Sequence, residues 1–145
     1  MEKKMNRQRV QLEFEKYVSH YDTADPKIRL KIEHTYKVAD LCERIARSLS
    51  MSEEEITAAW ICGMLHDIGR FEQVHRFHTF IDAESVDHAK FGEELLFGEK
   101  KLICRFLDKT DWHERIRDAI YWHSAYRLPD SLKEDPFCQI LRDAD

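Results

Sequence analysis

His66 and Asp67 stand side by side at the end of an apolar run, Trp60 to Leu65, with Gly63 and Gly69 to either side. A buried imidazole beside a buried carboxylate is unfavourable unless both find partners. A metal ion satisfies the two together, taking a neutral nitrogen from His66 and an oxygen from Asp67. Other residues of ligand type fall at inward positions. His34 extends the stripe Val38, Leu41, Ile45 and Leu49 backwards by four, and His123 continues the stripe Ile116, Ala119 and Ile120. His88 lies in the first turn of another helical stretch, and Asp145 shares a face with Leu141. One inward histidine is ordinarily a hydrogen-bonded core residue. Three on separate helices, together with a buried His-Asp pair, would leave several polar groups without partners in a dry core, and one shared metal site resolves them all.

The elements that must position these residues read as helices. The 145 residues are 43% hydrophobic and 35% charged with only four Gly and three Pro, which favours an all-α, compact bundle of six to seven helices in one domain spanning 1–145. The first helix is predicted from Arg7 to Tyr21, and the second from Pro26, capped by Asp25, to about Ser48. Ser52 and Glu55 form a capping box, with Met51 stapled onto Ile56; this opens a central helix carrying Trp60 to Asp67 and ended by Gly69. Residues 70 to 85 show no clean period and read as a long functional loop of interleaved aromatic and cationic groups. Helices then follow from Asp87 or Ser85 to about Phe97, across Leu102 to Leu107, from an Asp111/Glu114 cap through His123, and from Asp135-Pro136 onward. The chain stops about ten residues into this last helix, which suggests a truncated or longer parent chain.

The segments HTYKVA at His34, LHDIGR at His66, DHAKFG at His88, AIYWHS at His123 and LRDAD at Asp145 form an ordered H…HD…H…H…D set. This set resembles the HD superfamily of metal-dependent phosphohydrolases, from about residue 25 to the end. The resemblance implies that His34, His66, Asp67 and Asp145 hold a first metal. His88 and His123 match the histidines of members with a second metal, Asp67 bridging. Asp145 is the least secure ligand, with Asp143 the fallback. Cofactors of one or two divalent ions follow, iron or manganese favoured, with cobalt, nickel, zinc or magnesium also accommodated. A bridged pair activates water for in-line attack on phosphorus.

A transferring phosphate needs further positive charge. Arg70, just after the HDIG turn, and Arg76 are the candidates, joined to Asp67 as catalytic residues; His75 and His78 join the two arginines as substrate-binding residues, and Lys37 is a weaker candidate. AIYWHS offers one histidine in place of the adjacent pair of cyclic dinucleotide phosphodiesterases in this superfamily, and no GYP-type sequence follows the HD pair, which disfavours that subclass. The leading expectation is hydrolysis of a small phosphorylated molecule, a nucleotide for preference, with the aromatic loop offering a stacking surface. A diiron oxygenase on the same fold and a non-catalytic nucleotide-binding regulatory domain are the alternatives.

The net charge of -5 gives no bulk reason to bind polymeric nucleic acid or an anionic membrane. The charged N-terminus and the lack of a long apolar run place the chain in the cytoplasm. Cys42, Cys62, Cys104 and Cys138 are widely spaced among apolar residues and read as reduced thiols. Oligomeric state stays open.

Overall fold

The structure, a computed structural model, describes residues 5–108 and 110–145. Within these residues the chain forms eight α-helices: α1 (Arg7–Val18), α2 (Pro26–Ser48), α3 (Glu53–Leu65), α4 (Ile68–Phe77), α5 (His88–Phe97), α6 (Ile103–Phe106), α7 (His113–Trp122) and α8 (Pro136–Ala144). No strand occurs among the described residues. Side chains set most of the starts. Asp25 accepts from Lys27 N, Asp87 from Ala89 N and Lys90 N, and Asp135 from Phe137 N and Cys138 N, while Ser52 and Glu55 close the expected capping box. Each such cap contributes about 1 kcal/mol.

α3 is the centre of the bundle. Ile56, Ala58, Ala59, Ile61, Cys62, Met64 and Leu65 are all buried, and α1, α2, α7 and α8 pack around it. Close approach is built into the α2–α3 pair: a Cβ on Gly63 would lie 2.5 Å from Ala39 Cα. That contact brings the His34 end of α2 onto the His66 end of α3.

Several sequence expectations are corrected. α1 ends at Val18, and Tyr21 lies beyond it in a turn. On α2 the buried face is Ile28, Thr35, Val38, Ala39, Cys42 and Ala46, so the stripe is rotated by one position and Leu49 is 58% exposed. Small Ala and Cys residues pack closer to α3 than the leucines can, which turns the larger side chains outward. Gly69 does not end α3. It lies inside α4, where a Cβ would meet His88 O at 2.7 Å and Gly92 N at 2.8 Å, so its role is close packing of α4 on α5.

The expected loop from Arg70 is largely helical, because Ile68, Phe71 and Val74 form a buried stripe. The signal was hidden by Gln73, a fully buried polar residue, and by Phe77, an exposed apolar one. His78 closes α4 in the left-handed region at φ 58°, and the true loop runs from there to Asp87 with a 3₁₀ turn at Asp82–Glu84. Asp111 does not cap α7, which follows a 3₁₀ turn at Thr110–Trp112 and begins with Trp112 at the capping position. No helix among the described residues is long and apolar enough to cross a membrane.

Candidate metal centre

His66 and Asp67 are the two residues between α3 and α4, so the HD pair sits at the break between two consecutive helices. Asp67 is buried, and its two oxygens face opposite ways. Oδ2 lies 3.3 Å from His66 Nε2 and 3.5 Å from His34 Nε2. Oδ1 lies 3.6 Å from His123 Nε2 and 3.7 Å from His88 Nε2. Asp145, at the end of α8, places Oδ1 2.8 Å from His34 Nε2 and 3.4 Å from His66 Nε2. The six residues thus gather as two groups able to hold a metal ion, His34/His66/Asp145 and Asp67/His88/His123, with Asp67 facing both. Asp143, the alternative to Asp145, is exposed.

The ring nitrogens reveal what the cluster lacks. His66 Nδ1 lies 2.6 Å from Gly63 O, His123 Nδ1 2.6 Å from Ile120 O, and His88 Nδ1 2.7 Å from Asp82 Oδ2. Those oxygens only accept, so each Nδ1 carries a proton, and whenever the ring is neutral Nε2 is the bare nitrogen facing the centre. His34 Nε2, 3.4 Å from His66 Nε2, can donate to Asp145 Oδ1 at 2.8 Å, whereas in the neutral rings His88 Nε2 and His123 Nε2 face each other at 3.1 Å, lone pair against lone pair. A cation between them removes the conflict, and the donor set of imidazole nitrogen and carboxylate oxygen fits a divalent ion.

The electrostatics point the same way. Burial opposes the imidazolium of His66, but Asp67 and Asp145 outweigh it and raise its pKa to about 10. Burial would raise the carboxyl of Asp67, yet His66 and His123 hold it well below its ordinary range. Asp145 is likewise lowered, burial being overcome by His34 and His66. His88 moves down, chiefly through burial. The carboxylates stay ionised and draw positive charge into the centre.

Cations adjoin it. Lys31, one turn before His34 on α2, places Nζ 3.1 Å from Asp67 Oδ2 and 5.4 Å from the centre of the Phe80 ring. Sequence reasoning missed Lys31, although its i, i+3 spacing to His34 puts both on one helical face. Arg70 packs on Phe80 at 5.5 Å, and its Nη1 donates to Gln73 Oε1, Phe80 O and Asp82 Oδ1 at 2.7 to 2.9 Å. Arg76 instead pairs with Glu72 at 2.7 Å and packs on Phe91. His75 lies edge-on to Tyr21, and the His78 carbonyl accepts from Lys27 Nζ at 3.1 Å. At the helical rise per residue these three lie roughly 12 to 16 Å along the chain axis from Asp67. Lys37 is exposed on α2.

A helical bundle that gathers four imidazoles and a second carboxylate around one buried carboxylate defines a class of histidine–aspartate domain. The chain belongs to the HD domain family, whose model matches residues 32–145 and so includes all six residues. It is also similar to the 3'3'-cGAMP-specific phosphodiesterase 1 of Vibrio cholerae, 26% identical over 111 residues that cover 69% of this chain and 25% of that protein. The chain therefore spans about a quarter of the length of that relative. No solved structure matches the chain.

Proposed function

We propose that this domain is a two-ion phosphohydrolase acting on a nucleotide. The observation that carries the reading is the gathering of two ligand groups on opposite oxygens of Asp67, His34 and His66 beside Oδ2 and His88 and His123 beside Oδ1, with the Nε2 atoms of the last two facing each other at 3.1 Å. In this reading His34, His66 and Asp145 hold an outer ion, His88 and His123 an inner one, and Asp67 bridges. Divalent ions bound there supply Lewis acidity and an activated water for attack on phosphorus. The chain's own residues do the rest. Asp67 stays ionised at neutral pH and is held in one orientation by the groups around both oxygens. Lys31, with its ammonium beside Asp67 Oδ2, is placed to neutralise a phosphoryl oxygen, and Phe80 fixes that ammonium from the side.

Arg70 adds positive charge behind the Phe80 ring. Arg76, His75 and His78 lie further out, where they would meet the distal part of a substrate. The cations beside the centre favour phosphate transfer over oxygen chemistry, and the likeness to a cyclic dinucleotide phosphodiesterase supports a nucleotide as substrate. Iron and manganese are the ions of choice for the donor set, and one domain would act without a membrane or a polymeric nucleic acid as partner.

The test is hydrolysis by Mn(II)- and Fe(II)-loaded protein of a panel of nucleoside monophosphates, diphosphates and triphosphates and cyclic mono- and dinucleotides, with oxygen consumption followed in parallel. Turnover of a panel member that vanishes in Asp67→Ala supports the reading. Full metal loading with no phosphate ester cleaved would remove it, and oxygen uptake coupled to substrate oxidation would replace it with the oxygenase.

A further inference from the structure

Three of the four histidines at the centre point Nε2 inward because Nδ1 is held from behind, but not by the same kind of group. His66 and His123 each use the carbonyl three residues earlier, Gly63 O and Ile120 O. His88 has no such option. It is the first residue of α5, and Ser85, three residues earlier, is not helical. Its Nδ1 is held instead by Asp82, from the 3₁₀ turn at Asp82–Glu84.

Asp82 is itself fully committed. Oδ2 accepts from His88 Nδ1 at 2.7 Å and His88 N at 3.2 Å, while Oδ1 accepts from Arg70 Nη1 at 2.9 Å and Gln73 Nε2 at 3.0 Å. Four donors occupy about the four lone-pair directions that a carboxylate has, so one orientation remains. Gln73 is fully buried and fixed in turn, accepting from Arg70 Nη1 at 2.8 Å and donating to Ser85 Oγ at 2.9 Å. A carboxylate behind an imidazole also makes the ring a stronger ligand than a peptide carbonyl does.

We propose that Asp82, braced by Arg70 and Gln73, is the positioning residue for the inner ion: it fixes the tautomer and direction of His88 and thereby sets the affinity of the Asp67/His88/His123 group without touching the ion. The inference rests on the two-ion reading above. It also gives Arg70 a structural duty toward the metal in addition to its charge.

The test is Mn(II) titration of metal-free wild type, Asp82→Asn, His88→Ala and the double variant, with equivalents bound and the electron paramagnetic resonance of the coupled Mn pair as readouts. Asn keeps the volume but presents an amide that must point its NH₂ either at His88 Nδ1–H or at Arg70 and Gln73, leaving donors facing donors. Asp82→Asn is expected to weaken the site that His88→Ala removes by ten- to a hundredfold, to leave the other site within twofold, and to abolish the coupled signal. In the double variant it is expected to add nothing to His88→Ala.

Two bound ions in wild type with both affinities unchanged in Asp82→Asn would overturn the positioning role, as would equal weakening of both sites together with a lowered unfolding temperature. One ion in wild type would instead overturn the two-ion reading, and the proposal with it. Nitrogen-15 spectroscopy of metal-free wild type at pH 8 needs no variant: the proton belongs on His88 Nδ1, and finding it on Nε2 would also overturn the proposal.

Discussion

The two ligand groups differ in how they are enclosed. In the outer group the side chains of His34 and Asp145 are 31% and 26% exposed, whereas in the inner group His88 and His123 are 7% and 0% exposed. The inner group is braced by side chains from a turn and one helix, Asp82 and then Arg70 and Gln73 of α4. In the outer group His34 and Asp145 lean directly on each other at 2.8 Å, and a lysine stands alongside. An enclosed site with a rigid surround suits a resident ion; an open one beside an ammonium held at its edge suits the approach of substrate. On the proposed two-ion reading, the inner ion would be structural and the outer one open to substrate.

The variant that should break both sides at once is Asp67→Ala. It is expected to reduce bound metal from about two equivalents to near zero, measured by elemental analysis, because its oxygens face both groups. Next come the one-sided changes. His123→Ala is expected to leave about one equivalent and to lower the unfolding temperature of the metal-free protein, since it empties a buried position; His34→Ala should leave about one equivalent with a smaller thermal change. If either variant loses both ions, the two groups are a single unit and the contrast fails. Lys31→Met should retain both ions while kcat/KM falls by about ten- to a hundredfold, a charge lost from the open side. Loss of metal in this variant would move Lys31 from substrate to site assembly.

Gly69→Ala forces a methyl group against backbone of α5 and is expected to cost about 1 to 3 kcal/mol in denaturant unfolding, weakening the inner ion more than the outer. The smallest expected effect concerns the thiols. Cys42 and Cys138 are pushed up to about 12, chiefly by burial, and burial also raises Cys62 well above its ordinary value, whereas Cys104 is exposed. At pH 8 the thiolate fraction of Cys42 and Cys138 would be about one in ten thousand. One thiol should react rapidly with a maleimide in the folded protein, with and without chelator. Rapid labelling of Cys42 only after chelation would show that the open side loosens when its ion leaves.

The residues that gather at the centre were legible because metal binding restricts residue type, and His34, His123 and Asp145 could be tied to apolar neighbours at helical spacing. Helix starts were legible where a side chain caps them, at Asp25, Ser52, Asp87 and Asp135. Residues whose duty depends on a distant partner were not legible. Asp82 and Gln73 were not singled out, because nothing local marks the ring or guanidinium each will meet, and Lys31 was passed over although its spacing to His34 offered a signal. α4 was missed for the same reason: Gln73, Arg70 and Phe77 interrupt the apolar period, the first two because they are partnered inside. Gly69 read as a stop since an isolated glycine signals a helix end as readily as a close approach.

The contact between His34 and Asp145 spans 111 residues of chain. An ion gripped by both would therefore act as a cross-link in the polymer sense, closing a loop that takes in nearly the whole bundle. For a disulfide of comparable span the restriction of the unfolded chain is worth about 4 to 5 kcal/mol, and a coordinate bond draws on the same entropy for as long as it stays closed. Occupancy of the outer site and stability of the bundle are then linked, so the unfolding temperature should fall as a chelator empties that site.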